Sequence, residues 1–319
     1  MEVKRIFITG GLGFLGQNLV ARLKPYWSIT VFDREPNFRV DCDEYRGVNI
    51  IYGDVLDTST LASHIAGHDV VVHLAAYMSS SPSIEDYFRG AEVNICGLHS
   101  LIDAMCASDV HKLFFFSSSF VYGLGYHPTE PSVETDKLIP HTGYGVSKLA
   151  AEMFLCNQKK VSFVIARPSI VCGRYDWYGQ SISIFIKQAL SGQIKIFEGE
   201  ESTVRDYVNV DDVCNFVWHV ISANRFLDEI YNVSSGERIS TMTLATKIAS
   251  TVETIFGKHV DVSVVPKPIL TANANIPLPK LHLCNSKLQE TFSMRVMMLD
   301  DYLDDYIKWA ALNHPVFWK

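Results

Sequence analysis

The sequence lacks the features of nucleic-acid-binding, disulfide-rich and membrane-spanning proteins. Its 28 basic and 35 acidic residues give a formal net charge of −7, which argues against a nucleic-acid partner, because such a protein needs a basic face to displace counterions. The seven cysteines are scattered and include no Cys-x-x-Cys pair, so neither a disulfide framework nor a metal site is indicated. No apolar run approaches a membrane span, and no leader precedes the first predicted strand. We therefore expect a soluble protein of the reducing cytoplasm.

The composition is that of an ordinary globular protein, and strands alternate with helices along the first half of the chain. Of the 319 residues, 48% are hydrophobic and 20% are charged, as in typical folded domains. The alternation implies right-handed crossovers and predicts an α/β fold with a doubly wound parallel sheet. The six predicted strands are 3–9, 28–33, 48–54, 69–76, 112–119 and 162–167.

A glycine turn between the first strand and the first helix predicts a dinucleotide site. Gly10, Gly13 and Gly16 follow the strand directly, and glycine lets a pyrophosphate approach the unpaired N–H groups at the helix start. Asp33 ends the second strand 20 residues after Gly13, the distance at which an acid meets the adenosine ribose. Asp33 would repel a 2′-phosphate, so NAD is favoured over NADP, although Arg34 could accommodate that phosphate.

The strand rhythm breaks after Pro168, and this break predicts two domains. We expect residues 1–172 to form an NAD-binding Rossmann domain, joined by about 207–233, and residues 173–319 to form mainly a smaller α/β substrate-binding domain. In the first domain, Asp54 ends the third strand and could accept a hydrogen bond from the adenine amino group. His73 precedes the end of the fourth strand and is interpreted as a core histidine rather than a catalyst.

Tyr144 and Lys148 are four residues apart, so they lie one turn apart on the same face of a predicted helix. A nearby ammonium favours the phenolate, and the tyrosine's proton then becomes available nearer neutral pH. Ser118 lies at the end of the neighbouring predicted strand, where its hydroxyl could hold a substrate oxygen against the tyrosine. These three residues are the candidate catalytic groups.

Together these motifs resemble those of the extended short-chain dehydrogenases/reductases, in the NAD-dependent epimerase/dehydratase family that acts on nucleotide sugars. The resemblance covers nearly the whole chain and is specific for the family, although not for one reaction. The matching segments are residues 9–16, 53–54, 73–76, 94–97, 117–123, 144–148, 167–168, 205–212 and 231–233.

The resemblance implies a role for each matched residue. It selects Ser118 among three serines, and it implies Tyr144 as the acid/base, Lys148 on the nicotinamide ribose and Arg205 on the substrate's diphosphate. Arg205 could instead be a surface arginine paired with an acid. The implied cofactor contacts are Gly10, Gly13, Phe14, Leu15, Gly16, Asp33, Asp54, Val55, Leu74, Ala75, Ala76, Asn94, Tyr144, Lys148 and Pro168. A homodimer is also common in the family.

Two departures from the family pattern bear on the reaction. Sugar 4,6-dehydratases carry an Asp-Glu pair after the catalytic hydroxyl residue, where this chain has Ser119 and Phe120, which disfavours loss of water. Many nucleotide-sugar enzymes carry an asparagine where this chain has Ile170. We therefore expect an NAD-dependent nucleotide-sugar 4-epimerase. The alternatives are a keto-sugar reductase or alcohol dehydrogenase of the same family, and a cofactor-sensing protein without catalysis.

Overall fold

A computed structural model describes residues 4–34, 43–79, 83–123, 130–176, 180–267 and 282–317. The strands are β1 (Arg5–Thr9), β2 (Ser28–Asp33), β3 (Asn49–Tyr52), β4 (Val70–His73), β5 (Lys112–Phe116), β6 (Ser162–Pro168), β7 (Ile170–Cys172), β8 (Gln193–Phe197), β9 (Val204–Arg205), β10 (Tyr207–Asn209), β11 (Glu229–Val233), β12 (Ile239–Ser240) and β13 (Asp261–Val265). The helices are α1 (Phe14–Leu23), α2 (Thr58–Ile65), α3 (Ile84–Ala91), α4 (Gly97–Ala107), α5 (Gly143–Asn157), α6 (Ser181–Leu190), α7 (Val210–Ala223), α8 (Thr241–Phe256), α9 (Ser286–Phe292) and α10 (Leu299–Phe317).

Seven strands form the main sheet, in the order β11-β6-β5-β4-β1-β2-β3. The pairs from β6 to β3 are all parallel, so the predicted doubly wound α/β fold is confirmed. The predicted start of β1 at Val3 lies outside the described residues. The seventh strand, β11, was not predicted as part of the sheet, because it follows β6 only after a long excursion of the chain.

Helices pack against both faces of the main sheet, as is usual for parallel sheets. The side chains of β1 and β4–β6 that face α2, α4 and α5 form one apolar cluster with those helices: Phe7, Val71, Leu113, Phe115, Phe163 and Ile165. On the opposite face, the ring of Phe114 meets that of Phe216 from α7 at a centroid distance of 5.4 Å. Because strand residues alternate between faces, Thr9, His73 and Arg167 continue the α5-facing row toward the carboxyl ends of the strands.

Two compact units divide the chain. The first contains residues 1–123, 134–168 and 214–232, and the second contains residues 124–133, 169–213 and 233–319. The first unit thus includes β6 up to residue 168 and is joined by residues 214–232. The expected domain boundaries, at 172 and at about 207–233, stay predictions.

The described residues of the second unit form three two-stranded sheets and an apolar core of their own. The sheet pairs are β10 with β7, β12 with β9 and β13 with β8. Its core consists of apolar side chains from α6, α8 and α10, including Ile182, Ile186, Leu244, Ile248, Leu303 and Ile307. Helix α9 was not predicted, since seven residues are too few to show a helical period.

Candidate active site

The glycine turn between β1 and α1 leaves room for an anion. Gly10 has a φ of +70°, and a Cβ there would lie 2.5 Å from the backbone nitrogen of Ala75. A Cβ on Gly16 would lie 2.5 Å from the backbone of Gly11. Beside Gly13, by contrast, the nearest described atom to a Cβ would be the Gly10 carbonyl oxygen at 3.4 Å. The turn therefore packs closely at both ends and is open in the middle.

The start of α1 has unpaired donors at that opening. Gly13 is the N-cap residue and supplies no capping side chain, and the first intrahelical bond runs from the Gln17 N–H to the Gly13 carbonyl. The N–H groups of Phe14, Leu15 and Gly16 consequently have no acceptor within the helix. Such a helix start favours a pyrophosphate through its donors and its dipole. The residues present therefore fit a dinucleotide.

Asp33 shapes the same turn from the end of β2. Its Oδ2 accepts a hydrogen bond of 2.8 Å from the Leu12 N–H, and its Oδ1 accepts one of 2.8 Å from the Arg34 N–H. Burial raises the pKa of this carboxyl, and the two N–H groups and the Arg34 charge lower it. The hydroxyl of Tyr45, which the sequence did not single out, donates to the Gly11 carbonyl at 2.7 Å.

A pocket of about 700 Å³ lies beyond the ends of β2 and β3. Its lining combines two arginines, three acids and three apolar side chains: Arg34, Asp54, Leu56, Glu85, Phe88, Arg89, Glu92 and Val93. Asp54 is tied to the turn after β3, since its Oδ1 accepts a 3.0 Å hydrogen bond from the Leu56 N–H. The pocket has the size of a small-molecule site, and its lining is mostly charged.

Ser118, Tyr144 and Phe120 come together at the carboxyl end of β5. Ser118 caps a short 3-10 helix, Ser119–Tyr122, by accepting a 3.2 Å hydrogen bond from the Phe120 N–H to its Oγ. The Phe120 ring meets the Tyr144 ring edge-on at a centroid distance of 5.9 Å. Phe120 thus contacts both candidate catalytic residues, one through its backbone and the other through its ring.

Lys148 is buried one turn after Tyr144. Thr142 caps the start of α5 by accepting from the Gly145 N–H at 3.1 Å. The Lys148 Nζ donates to the Phe116 carbonyl at 2.8 Å and lies 5.8 Å from the centre of the Tyr144 ring. Burial lowers the pKa of Lys148 to about 7, against a raising effect of Glu152. The effect of the Lys148 ammonium on the Tyr144 phenolate stays a prediction.

His73 is the last residue of β4 rather than one before its end. Its Nδ1 is 2.7 Å from the Thr9 Oγ1, and its ring stacks on Phe115 at a centroid distance of 5.8 Å. Burial and, to a smaller extent, the Lys148 charge together lower the pKa of His73 to about 3. A neutral imidazole therefore lies in the core beneath the site.

Asn94 supports the site from a π-helical segment, Glu92–Cys96, between α3 and α4. Its Oδ1 accepts from the Tyr77 N–H at 2.7 Å, and its Nδ2 donates to the Tyr77 carbonyl at 2.9 Å and to the Ser147 Oγ at 2.8 Å. The amide thereby joins α5 to the segment after β4, which begins with Leu74, Ala75 and Ala76. A direct contact of Asn94 with the cofactor stays a prediction.

The other predicted cofactor contacts occupy the same end of the sheet. The Leu74 N–H donates to the Thr9 carbonyl at 3.0 Å, and the Ala75 N–H donates to the Thr9 Oγ1 at 3.4 Å. Val55 is buried and lies against Gly97, where a Cβ would come within 2.9 Å of the Val55 Cγ2. Pro168 is the last residue of β6. Their contacts with a cofactor also stay predictions.

Arg205 belongs to the second unit, where β9 pairs with β12. It hydrogen-bonds to Tyr207, which is a neutral partner rather than the acid that the surface alternative required. The next residue, Asp206, is fully buried. Sequence reasoning gave it no role, although a carboxylate between two short strands was a signal that something must satisfy it.

The partners of Asp206 are hydroxyl and backbone donors of the second unit. Its Oδ1 accepts from the Ser169 Oγ at 3.3 Å, the Ser235 N–H at 3.2 Å and the Ser235 Oγ at 3.0 Å. Its Oδ2 accepts from the Leu283 N–H at 3.2 Å. Burial raises the pKa of Asp206 and these hydrogen bonds lower it, and the net pKa is about 7. The carboxylate thereby joins three segments behind Arg205.

Among the described residues, no group of three or more His, Cys, Asp or Glu side chains could hold a metal ion. None of the described helices is long and apolar enough to cross a membrane.

Comparisons with known proteins give the family. The model of the NAD-dependent epimerase/dehydratase family matches residues 6–234. The UDP-glucose 4-epimerase of Yersinia enterocolitica is 28% identical, over 97% of this chain and 98% of that protein. The UDP-glucose 4-epimerase of Thermotoga maritima, solved with UDP-glucose, has a TM-score of 0.81 at 25% identity, over 97% of this chain and 99% of the other. DesIV, a dTDP-glucose 4,6-dehydratase of Streptomyces venezuelae solved with NAD, has a TM-score of 0.83 at 22% identity, over 98% and 99%. The chain therefore belongs to the NAD-dependent epimerase/dehydratase family, as its motifs predicted, and its cofactor is NAD.

Proposed function

We propose that the protein is a 4-epimerase of a nucleotide sugar, acting through a transient 4-keto sugar. One observation carries the proposal: Ser118 and Tyr144 meet at Phe120, the residue that replaces an acid of the dehydratases. With Phe120 and Ser119 at these two positions, the Asp-Glu pair with which the dehydratases remove water from the keto sugar is replaced. The Yersinia relative, which matches over nearly the full length, carries the same activity in its name.

The residues of the glycine turn would hold NAD. The N–H groups of Phe14, Leu15 and Gly16 would donate to the pyrophosphate, and the remaining lone pairs of Asp33 would accept from the adenosine ribose. Asp54, at the pocket beyond β2 and β3, would accept from the adenine amino group. When bound, NAD supplies hydride acceptance and donation at the sugar carbon.

The α5 residues would handle the proton. Tyr144 Oη would take the proton of the sugar 4-hydroxyl and later return it, while the Ser118 hydroxyl holds the same sugar oxygen. Lys148 would bind the nicotinamide ribose through its Nζ and, when protonated, stabilise the phenolate of Tyr144. Arg205 would bind the diphosphate of the substrate, with Asp206 holding its strand in position.

A second candidate is a keto-sugar reductase or alcohol dehydrogenase with the same catalytic residues. The observation that favours it is Ile170, a half-buried apolar residue on β7, where many nucleotide-sugar enzymes carry an amide that reaches the diphosphate. A substrate without a diphosphate would be compatible with that isoleucine. The homodimer and the cytoplasmic location remain predictions. For a dimer, the exposed apolar side chains Val146 and Met153 on α5 are a candidate surface.

The two candidates are separated by their use of cofactor. A thermal-shift panel of nucleotide sugars first identifies a ligand, since binding to the native state alone raises its apparent stability. The purified protein should then interconvert two epimeric sugars with catalytic NAD and with no steady change in nicotinamide absorbance. Tyr144→Phe is the matched inactive control. Stoichiometric formation of reduced or oxidised nicotinamide would overturn the epimerase and favour the second candidate.

A further inference from the structure

Helix α5 carries a third functional candidate on the face of Tyr144 and Lys148. Glu152 follows Lys148 by four residues and therefore lies one further turn along the same face. Its side chain is 3% exposed and that of its partner Arg167 is 2% exposed. The carboxylate accepts from the Arg167 Nε at 3.0 Å and from its Nη2 at 2.6 Å. This two-pronged geometry is the strongest form of a carboxylate–guanidinium contact.

The remaining nitrogen of Arg167 contacts the segment that contains Ser118. The Arg167 Nη1 donates to the Tyr122 Oη at 2.8 Å and to the Glu134 carbonyl at 3.1 Å. Tyr122 is the last residue of the 3-10 helix that Ser118 caps, and its hydroxyl donates to the Asn232 Oδ1 at 2.7 Å. One guanidinium thus links the helix of Tyr144 and Lys148 to the segment of Ser118.

We propose that the Glu152–Arg167 ion pair is the positioning element of the active site. The pair holds α5 against the segment 118–122, and its carboxylate favours the ammonium form of Lys148 from one turn further along the same helix face. The inference rests on the proposed function, because it assumes that Ser118, Tyr144 and Lys148 act together on a substrate. Neither residue of the pair is itself required to touch that substrate.

The charges around Lys148 give the inference a distinctive consequence. From its own helix Lys148 faces Tyr144 and Glu152, and from the sheet it faces His73, whose pKa of about 3 leaves it neutral. Glu85, Arg89 and Glu92 of α3 and the π-helical segment are exposed, and the remaining acid of α3, Asp86, bonds to Tyr77 and Ser83. Glu152 is therefore the negative charge that offsets the burial of Lys148, and Arg167 partly cancels it.

The two ends of the pair should consequently have opposite effects. Loss of the negative charge in Glu152→Gln leaves Arg167 unpaired near Lys148 and lowers the titration midpoint of Lys148. Loss of the positive charge in Arg167→Met leaves the effect of the Glu152 carboxylate on Lys148 without the partly cancelling guanidinium, and it raises that midpoint. Each change should move the midpoint by about one pH unit or more, given Coulomb energies at short range inside a protein. A purely structural pair would show no such opposition.

The test is a pH titration of the full chain with saturating NAD, labelled with carbon-13 at the lysine ε position. Lys148→Arg assigns the Lys148 signal. The inference expects a lower midpoint in Glu152→Gln, a higher one in Arg167→Met and a value near the unmodified one in the double variant. Asp103→Asn is the matched control, because it removes a carboxylate from an exposed ion pair with Lys160 and should leave the midpoint unchanged.

Equal or same-direction movements in folded variants would overturn the inference. If Arg167→Met alone does not fold, Glu152→Gln and the double variant carry the same test, since the second substitution must move the midpoint back up. In epimerase assays, the alkaline limb of turnover should move with the midpoint. The protein could also show opposite midpoint movements and yet turn over no nucleotide sugar. That result would support the effect of the ion pair on Lys148 and would refute only the proposed function.

Discussion

The two units differ in the groups that stabilise a buried charge. In the first, the Arg167 guanidinium and the Glu152 carboxylate lie 2.6 Å apart, and both side chains are almost fully buried. In the second, the fully buried Asp206 carboxylate accepts hydrogen bonds from the hydroxyls of Ser169 and Ser235 and from the backbone. One charge is met by an opposite charge, and the other by neutral donors.

The difference determines how each unit responds to pH. Burial lowers the pKa of Arg167, but the Glu152 bonds and charge outweigh burial and hold it above its ordinary value. The guanidinium therefore stays charged at any pH near neutrality. Burial raises the pKa of Asp206 more than its hydrogen bonds lower it, and the result is a pKa of about 7. The second unit therefore contains a group that titrates within the physiological range.

The largest expected effect separates chemistry in the first unit from packing in the second. Tyr144→Phe removes the proposed transferable proton and should lower turnover by about 10²–10⁴-fold, the range for a general acid or base, with little change in NAD affinity. Tyr302→Phe is the matched change in the second unit, where the hydroxyl contacts the Cys172 sulfur at 3.2 Å, and it should leave turnover nearly unchanged. Steady-state rates and NAD titrations measure both. Comparable losses in the two variants would remove the distinction.

Next in size is the cost of breaking the paired charge. Arg167→Met leaves the buried Glu152 carboxylate without its partner and should lower the free energy of unfolding by about 3–5 kcal/mol. Arg174→Met breaks a pair with Asp211 whose side chains are 50% and 44% exposed, so its effect should be close to zero. Urea denaturation of both variants measures the difference. A small effect at Arg167 would mean that Glu152 finds another partner or becomes protonated at no cost.

A smaller loss is expected where neutral donors hold the charge. In Asp206→Asn the amide oxygen can keep the serine donors, but the new NH₂ group faces the Leu283 N–H. One mismatched buried contact should cost about 1–3 kcal/mol at pH 8. Asp261→Asn, at an exposed position of β13, is the control. A neutral or stabilising result at Asp206 would show that its donors are satisfied equally well by an amide.

Much of the first unit could be predicted from sequence, because its signals are local. The glycine spacing, the acid at the end of β2 and the Tyr144–Lys148 spacing each span about 20 residues or fewer of the chain. The seventh strand could not be predicted in the same way, since Glu229–Val233 joins the sheet beside β6 from a distant part of the chain.

The buried polar contacts were the part of the site that the sequence did not reveal. Arg167 was noted only as part of a motif, and its partners Glu152 and Tyr122 lie 15 and 45 residues away. Asp206 joins Ser169, Ser235 and Leu283 across separations of 29 to 77 residues. Such contacts depend on tertiary packing, so neither periodicity nor spacing encodes them. For the same reason, the spacing of Tyr144 and Lys148 in the sequence does not predict the pKa of Lys148.

The pH response of the second unit follows from the sign of the Asp206 shift. Its pKa is about 7 in the folded state against an ordinary value of 3.8, so between these values the folded protein binds a proton that the unfolded chain does not. The stability that this group contributes is therefore fully present below about pH 4 and is lost above about pH 7. Between these values the free energy of unfolding falls by at most ~1.4 kcal/mol for each pH unit. The stability difference between unmodified protein and Asp206→Asn should shrink from pH 5 to pH 7.5. A difference that grows over this window would reverse the sign.

The smallest expected effect concerns Asp33, a carboxylate of the first unit that resembles Asp206. It too is held by backbone N–H groups, those of Leu12 and Arg34, but it lies at the open glycine turn, where each oxygen keeps a lone pair for a ligand. Asp33→Asn can retain the Leu12 contact through its amide oxygen while it loses the charge that repels a 2′-phosphate. The preference for NAD over NADP should therefore fall by about tenfold, or ~1.4 kcal/mol, with little loss of stability. Asp33→Ser, which also loses the reach to Leu12, should weaken both dinucleotides. Arg34→Ala is the companion variant, because Arg34 is the alternative determinant of cofactor choice. If Arg34→Ala abolished residual NADP binding and Asp33→Asn left the NAD preference unchanged, cofactor choice would depend on the arginine and not on the carboxylate.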